Sequence, residues 1–329
     1  MNNITVQEYL DEYLRNVAAL TVRPRTFENY ERNLQLYVYP RIGDIYLADL
    51  RIAVMEEFYR DLALRGNRTS GPLSSGTVRQ VHAVLRRAFA RAVAHELISQ
   101  NPAQVTTLPK INYRQIDMLS SEDIGRLHKL VQEEQEDRPL AIAIAISLHT
   151  GMRRGEVLGL QWGDIDLCKG KIRIARSLHS SQESKPIYGE PKTKKSRRTL
   201  AMTDGLKEIL IVHKSHVSHE LKKSKKRLEP STPVVLHKSG GVMHPNALTN
   251  TSKHFFKMHH LPDSFSFHGL RHVHASHLIA AGVPLKVISE RLGHSSISIT
   301  LDTYGHILEG QDDAAAEAFN RIVHETTLN

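Results

Sequence analysis

From about residue 103 to 118 the spacing of apolar residues that organises the rest of the chain breaks down. The stretch holds Pro109 and Lys110 and shows little periodicity of any kind. Such a connector buries no face of its own, so the chain on either side has to build its own core. With 329 residues there is chain enough for two cores. We expect a domain over 1–104, a linker over 105–117 and a second domain over 118–329.

The first hundred residues read as helices. Thr26 is placed to cap a helix over Phe27 to Tyr37, whose aromatics recur at helical spacing. A second helix is expected near Val54 to Leu64. A third follows Ser75-Gly-Thr77, where Val78, Val81, Leu85, Ala88, Phe89, Ala92 and Val93 form one stripe, and Asn101-Pro102 is expected to stop it. Arg79, Arg86, Arg87 and Arg91 lie off that stripe, on a face suited to phosphate contact or simply to water. Beyond the linker, Ser120-Ser-Glu-Asp123 opens a helix in capping style. An apolar helix at 139–149 follows, then a turn at Thr150-Gly151 and a short helix carrying Arg153 to Leu160. Strand-like runs at Lys171–Leu178 and Thr199–Met202 flank a basic hairpin, and helices resume to the end. The class is mainly α, α+β with a small antiparallel sheet.

Composition removes several function classes. The longest apolar run, Leu140 to Leu148, suits a buried helix rather than a bilayer span. The first residues lack a signal-peptide layout, and the single cysteine, Cys168, supports neither a disulfide framework nor a thiolate metal site. A cytoplasmic protein is expected. The net charge of +9 is concentrated: residues 185–227 hold thirteen Lys and Arg against four Asp and Glu, leaving 31 of each elsewhere. An excess gathered in one stretch favours a polyanionic partner over a generally basic surface.

Five short motifs stand in order in the second half: Thr150-Gly-Met-Arg-Arg-Gly-Glu156, Pro191-Lys-Thr-Lys-Lys-Ser-Arg-Arg198, His268-Gly-Leu-Arg-His272, Leu292-Gly-His-Ser-Ser296 and Asp302-Thr-Tyr-Gly-His306. Together they resemble the signature of tyrosine recombinases of the phage integrase type. The resemblance extends over nearly the whole chain, because residues 1–102 look like the helical, SAM-like core-binding domain of that family. It implies a DNA breaking-rejoining catalytic domain and a set of roles. Arg153 and Arg271 are the paired arginines, Lys192 the hairpin lysine, His268 and His294 the histidines, Tyr304 the nucleophile and Glu156 the acidic support of Arg153. Lys194 and Lys195 lie close enough to Lys192 to compete for its place as general acid. Met152 and Gly269 depart from the commonest residues without touching a role-bearing position.

The residue types suit the chemistry. A phenol has a pKa near 10, so forming phenolate at pH 7 costs about 4 kcal/mol, and a cluster of cations with a neighbouring base lowers that cost. Guanidiniums bind two phosphate oxygens at once and stay charged. A covalent link to the enzyme divides one displacement into two and conserves bond energy for rejoining, without ATP. His268 and Arg271, three residues apart, share one helical face.

The resemblance further implies double-stranded attachment-site DNA as partner, contacted by Arg79, Arg86, Arg87, Arg91, Lys194, Lys195 and Arg197. It also implies a tetramer of the chain on DNA, a four-way junction intermediate, and no cofactor or metal. A directionality factor and a host DNA-bending protein would be family partners that the residues do not reveal. Ala315, Phe319, Ile322 and Val323 place one apolar face on the tail, to dock on a neighbouring protomer or on its own domain. Three rivals exist. Seven histidines over 254–277 raise a metal-dependent nuclease, though without a carboxylate cluster or a His-Glu-x-x-His motif. A type IB topoisomerase shares the catalytic set but not the first domain. A catalytically dead DNA-binding regulator would have lost site residues, and every expected position is filled.

Overall fold

The computed structural model describes residues 4–67, 71–104, 108, 119–134, 138–180, 186–189, 197–237, 241–308, 316–317, 319–320 and 323. The chain forms two compact units, Met1–Arg114 and Gln115–Asn329.

The first unit is helical: α1 (Val6–Tyr13), α2 (Ala19–Thr21), α3 (Pro24–Asn33), α4 (Tyr39–Ile42), α5 (Ile52–Arg65) and α6 (Ser75–Ala94). π-helical turns at Leu14–Ala18 and Leu34–Val38 carry α1 into α2 and α3 into α4. Thr5 opens α1 with a reciprocal capping box to Glu8, which satisfies two otherwise orphan N–H groups. The stripe expected on α6 is buried from Val78 through Ala92, and the Tyr9 hydroxyl ties α1 to it by donating to the Ala88 carbonyl at 2.6 Å.

Two expectations fail here for local reasons. Thr26 is not a cap: α3 starts at Pro24, which needs no N–H donor at the first helical position and forces Arg23 into extended backbone. Nor does Asn101-Pro102 stop α6. The helix ends at Ala94 because Glu96 adopts a left-handed φ of 57°. Leu97 N–H and Glu96 N–H then return to the carbonyls of Ala92 and Val93, each at 3.0 Å.

The second unit wraps helices around α8 (Arg138–Thr150), in which every residue from Leu140 to Leu148 is buried. Around it pack α7 (Ser121–Glu133), α10 (Asp204–Lys223), α11 (Pro245–Met258) and α12 (Phe267–Ala280). Ser120 and Asp123 form the capping box of α7. Between α8 and α10 lie, among the described residues, the short α9 (Arg154–Leu158) and five strands: β1 (Ile165–Asp166), β2 (Lys171–Ile174), β3 (Ser177–Ser180), β4 (Pro186–Gly189) and β5 (Arg198–Ala201).

The expected single run over Lys171–Leu178 is two strands in two sheets. β2 lies between β1 and β5, while β3 pairs with β4, all antiparallel. The chain leaves the ladder at Ala175-Arg176, where the Arg176 guanidinium pairs with the buried Asp164. The unit closes with α13 (Leu285–Leu292) and α14 (Ile297–Tyr304). In the tail, Phe319 and Val323 are exposed, whereas Ala315 and Ile322 lie outside the described residues. Among the described residues, no helix is long and apolar enough to cross a membrane.

Candidate active site

The site begins at the turn out of α8. Gly151 holds a left-handed φ of 67°, and a Cβ there would stand 2.7 Å from Leu292 Cδ2 and 2.9 Å from His274 Cδ2. Only glycine permits this approach. The turn delivers Arg153 to the N-cap of α9, where Glu156 Oε2 accepts the Arg153 N–H at 3.0 Å and Oε1 accepts its Nη1 at 2.9 Å. Arg153 Nη1 and Nη2 also donate to the carbonyls of Leu292 (3.2 Å) and Gly293 (3.0 Å).

Glu156 is buried and holds a second guanidinium, with Arg198 Nη2 at 3.0 Å from Oε2 and Nη1 at 3.2 Å from Oε1. Burial pushes the Glu156 carboxyl up, but the charges of Arg198 and Arg153 outweigh it and hold it below the ordinary carboxylate range. Arg198 was not singled out from the sequence. It reaches Glu156 because the β2–β5 register sets it opposite Ile174, and nothing local distinguishes it from the exposed Arg197.

Helix α12 supplies the next group, with His268, Arg271 and His272 at the i, i+3, i+4 spacing of one face. Arg271 is buried, its Nη1 donating to the Gly151 carbonyl at 2.7 Å. Its Nη2 is buried without a hydrogen-bond partner among the described residues. Burial first, then the neighbouring Arg153, pulls the Arg271 guanidinium down to about 9. A buried cation with an open donor costs stability unless something anionic completes it. His268 keeps solvent access and meets the His272 ring edge-on, centroids 4.8 Å apart. Desolvation, and then His272, Arg271, Arg153 and Arg154, push its pKa below the ordinary imidazole range; for a ring this exposed, the cations carry the direction.

At the end of α13, Gly293 takes a φ of 67°, and His294 N–H returns to the Ser289 carbonyl at 3.0 Å, closing the helix. His294 Nδ1 then pairs with Thr300 Oγ1 at 2.8 Å. Burial, followed by Arg271, Arg153 and Arg198, depresses that ring to about 4. Ser296 caps α14, whose last residue is Tyr304. The Tyr304 phenol is buried at 2% exposure and lies 2.8 Å from His272 Nδ1. Burial raises its pKa to about 12, with Arg271 pulling the other way.

Arg153, Glu156, Arg271, His294 and Tyr304 thus face one corner, with His268 at its rim. Lys192, Lys194 and Lys195 lie outside the described residues. On α6, Arg79 is half-buried, while Arg86, Arg87 and Arg91 are exposed; Arg87 Nη1 donates to the Tyr30 hydroxyl at 3.1 Å. Arg291 was also missed. Its Nε donates to His274 Nε2 at 2.9 Å, which leaves the proton of that ring on Nδ1 to bond the Leu148 carbonyl at 2.9 Å. The histidines of 254–277 are dispersed in their engagements: His272 on Tyr304, His274 on Arg291 and Leu148, His277 on the Leu119 carbonyl. Among the described residues, no three potential ligands group together as a metal site.

Known proteins share the sequence pattern and the fold of this chain. The phage integrase family pattern matches residues 117–310, and that of the phage integrase N-terminal SAM-like domain matches residues 5–63. A tyrosine recombinase XerC-like protein of Caldanaerobacter subterraneus is 28% identical, over 97% of this chain and 84% of its own. The ICEBs1 integrase of Bacillus subtilis is 24% identical over 90% and 78%. Among solved structures, the Tn1549 transposon integrase in complex with a circular intermediate DNA superposes with a TM-score of 0.80 at 20% identity, covering 97% of this chain and 99% of that one. A lambda integrase tetramer bound to a Holliday junction gives 0.66 at 18%, covering 92% and 78%. The chain belongs to the phage integrase family, the site-specific tyrosine recombinases of phages and mobile elements.

Proposed function

We propose that the chain binds double-stranded attachment-site DNA and exchanges strands through a 3′-phosphotyrosine at Tyr304, as a tetramer passing through a four-way junction. The observation that carries this reading is the unpartnered Nη2 of the buried Arg271 in the same corner as the Tyr304 hydroxyl. A phosphate oxygen is the anion that completes such a donor.

On this reading Arg271 and Arg153 brace the charge that develops on the non-bridging oxygens, each contributing about 3 kcal/mol. Glu156 orients Arg153, and His268 and His294 donate hydrogen bonds to the phosphate. The Lys192 ammonium protonates the leaving 5′ oxygen. Phenolate forms only once phosphate is bound: with a pKa of about 12, ionising Tyr304 at pH 7 costs about 7 kcal/mol in the free protein. The basic segment 185–227 and the α6 arginines make phosphate contacts, so affinity falls steeply with salt.

The test is a suicide duplex nicked so that the religation partner diffuses away. The wild type is expected to leave a covalent 3′ adduct that survives EDTA. Tyr304→Phe should lose the adduct while keeping DNA affinity. An adduct in that variant would overturn the assignment, and cleavage abolished by EDTA would turn it towards metal-dependent hydrolysis.

A further inference from the structure

Attack by Tyr304 requires somewhere for the phenol proton to go. Among the described residues, the imidazole in hydrogen-bonding contact with the Tyr304 hydroxyl is His272, through Nδ1 at 2.8 Å. His294 uses its Nδ1 on Thr300, and His274 is engaged at both nitrogens. The contact follows from helix geometry. One residue beyond Arg271, the side chain is turned by about 100° around α12. Arg271 therefore reaches back to the Gly151 carbonyl while His272 reaches α14, the two ring centroids of His272 and Tyr304 lying 5.7 Å apart. His268 packs edge-on against His272 at an interplanar angle of 88°.

We infer that His272 is the proton acceptor for Tyr304. This rests on the reading of Tyr304 as nucleophile. As the phenol O–H bond breaks, the proton passes to Nδ1 and the oxygen's electron pair forms the bond to phosphorus. The P–O5′ bond breaks, and the departing oxygen takes its proton from a separate acid, the Lys192 ammonium in the scheme above. In religation the 5′ hydroxyl returns its proton to that amine, the phosphotyrosyl bond breaks, and His272 returns its proton to the phenol. The groups facing His272 are Arg271 and His268 on its own helix, His294 beyond α13 and Tyr304 on α14. Burial and then the Arg271 charge hold the ring below the ordinary imidazole range, which leaves it neutral and able to accept at pH 7.

The experiment follows adduct formation by His272→Ala and His272→Asn on the nicked duplex, and on the same duplex with a 5′-bridging phosphorothiolate, whose sulfur departs without needing a proton. Both variants are expected to bind DNA as the wild type does and to react about 100-fold more slowly, the loss of one general base. The penalty should persist on the phosphorothiolate, and added imidazole should recover part of the rate in His272→Ala. Asparagine can accept a hydrogen bond from the phenol but cannot hold its proton. A wild-type rate in His272→Asn would therefore reduce His272 to a holder of the ring, and a penalty that vanishes on the phosphorothiolate would move it to the leaving group. Either result overturns the inference, as does an unimpaired His272→Ala. Should His272→Ala fail to fold, the near-isosteric His272→Asn decides alone. Tyr304→Phe run alongside separates the two readings: an adduct there removes the nucleophile itself, whereas its absence beside an unimpaired His272→Asn removes only the base.

Discussion

Two buried carboxylates in the second unit solve the same electrostatic problem with different results. Glu156 and Asp164, 3% and 5% exposed, each accept the backbone N–H of the residue three positions earlier, and each holds two arginines. Asp164 pairs with Arg173 and Arg176 beside the β1–β2–β5 sheet, and Arg173 runs out to 64% exposure. Glu156 pairs with Arg153 and with Arg198, which is only 8% exposed. Beside Glu156, and not beside Asp164, stands a third guanidinium whose charge is only partly answered, that of Arg271. A buried ion pair is therefore no mark of a site by itself, because a compensated pair is a structural solution. The open donor next to it is the better mark.

The difference can be broken by mutation. The largest effect is expected for Glu156→Ala, which strands Arg198 in the interior and should cost about 3–5 kcal/mol in chemical denaturation, with loss of adduct formation. Asp164→Ala should cost less, about 2 kcal/mol, because Arg173 can turn into water; its adduct rate below the melting range should match the wild type. Equal losses of activity in the two would erase the distinction. Arg271→Met should show the opposite balance. Adduct formation is expected to slow by about 10²–10³-fold, while removal of an uncompensated buried donor stabilises the fold by about 1 kcal/mol.

Acid sharpens a second contrast. His274 and His213, depressed by burial to about 3 and about 4, stay neutral in the folded chain while the unfolded chain protonates near 6.5. The unfolded state thus binds the proton first. Stability is full above about pH 6.5 and falls as pH drops towards the folded values, by about 2 kcal/mol per ring at pH 5. Denaturation curves at pH 7 and pH 5 should show it. The smallest effect is expected on the first unit: Arg86→Gln, an exposed cation on α6, should leave stability unchanged and lower the slope of log affinity against log salt by about 1.

Much of the scaffold was legible. The capping box Ser120–Asp123, the α6 stripe, the buried run of α8 and the His268–Arg271 spacing all depend on residues within a few positions of each other. The failures were also local, but competitive: Pro24 claims the helix start from Thr26, and Glu96 ends α6 before Asn101 is reached. What stayed illegible lies far apart in sequence. Arg198 meets Glu156 across 42 residues, Arg291 meets His274 across 17, and His272 meets Tyr304 across 32.

The amino-acid sequence alone determined the family, the helical character of both halves and the residue types of the site, because caps, stripes and motifs act over one or two helical turns. Only the tertiary structure decided which cation is compensated and which left open, and which of the four histidines on α12 touches the phenol. Pairing of buried charges is settled by strand register and helix packing, where contacts of a few ångströms join residues that the chain itself keeps far apart.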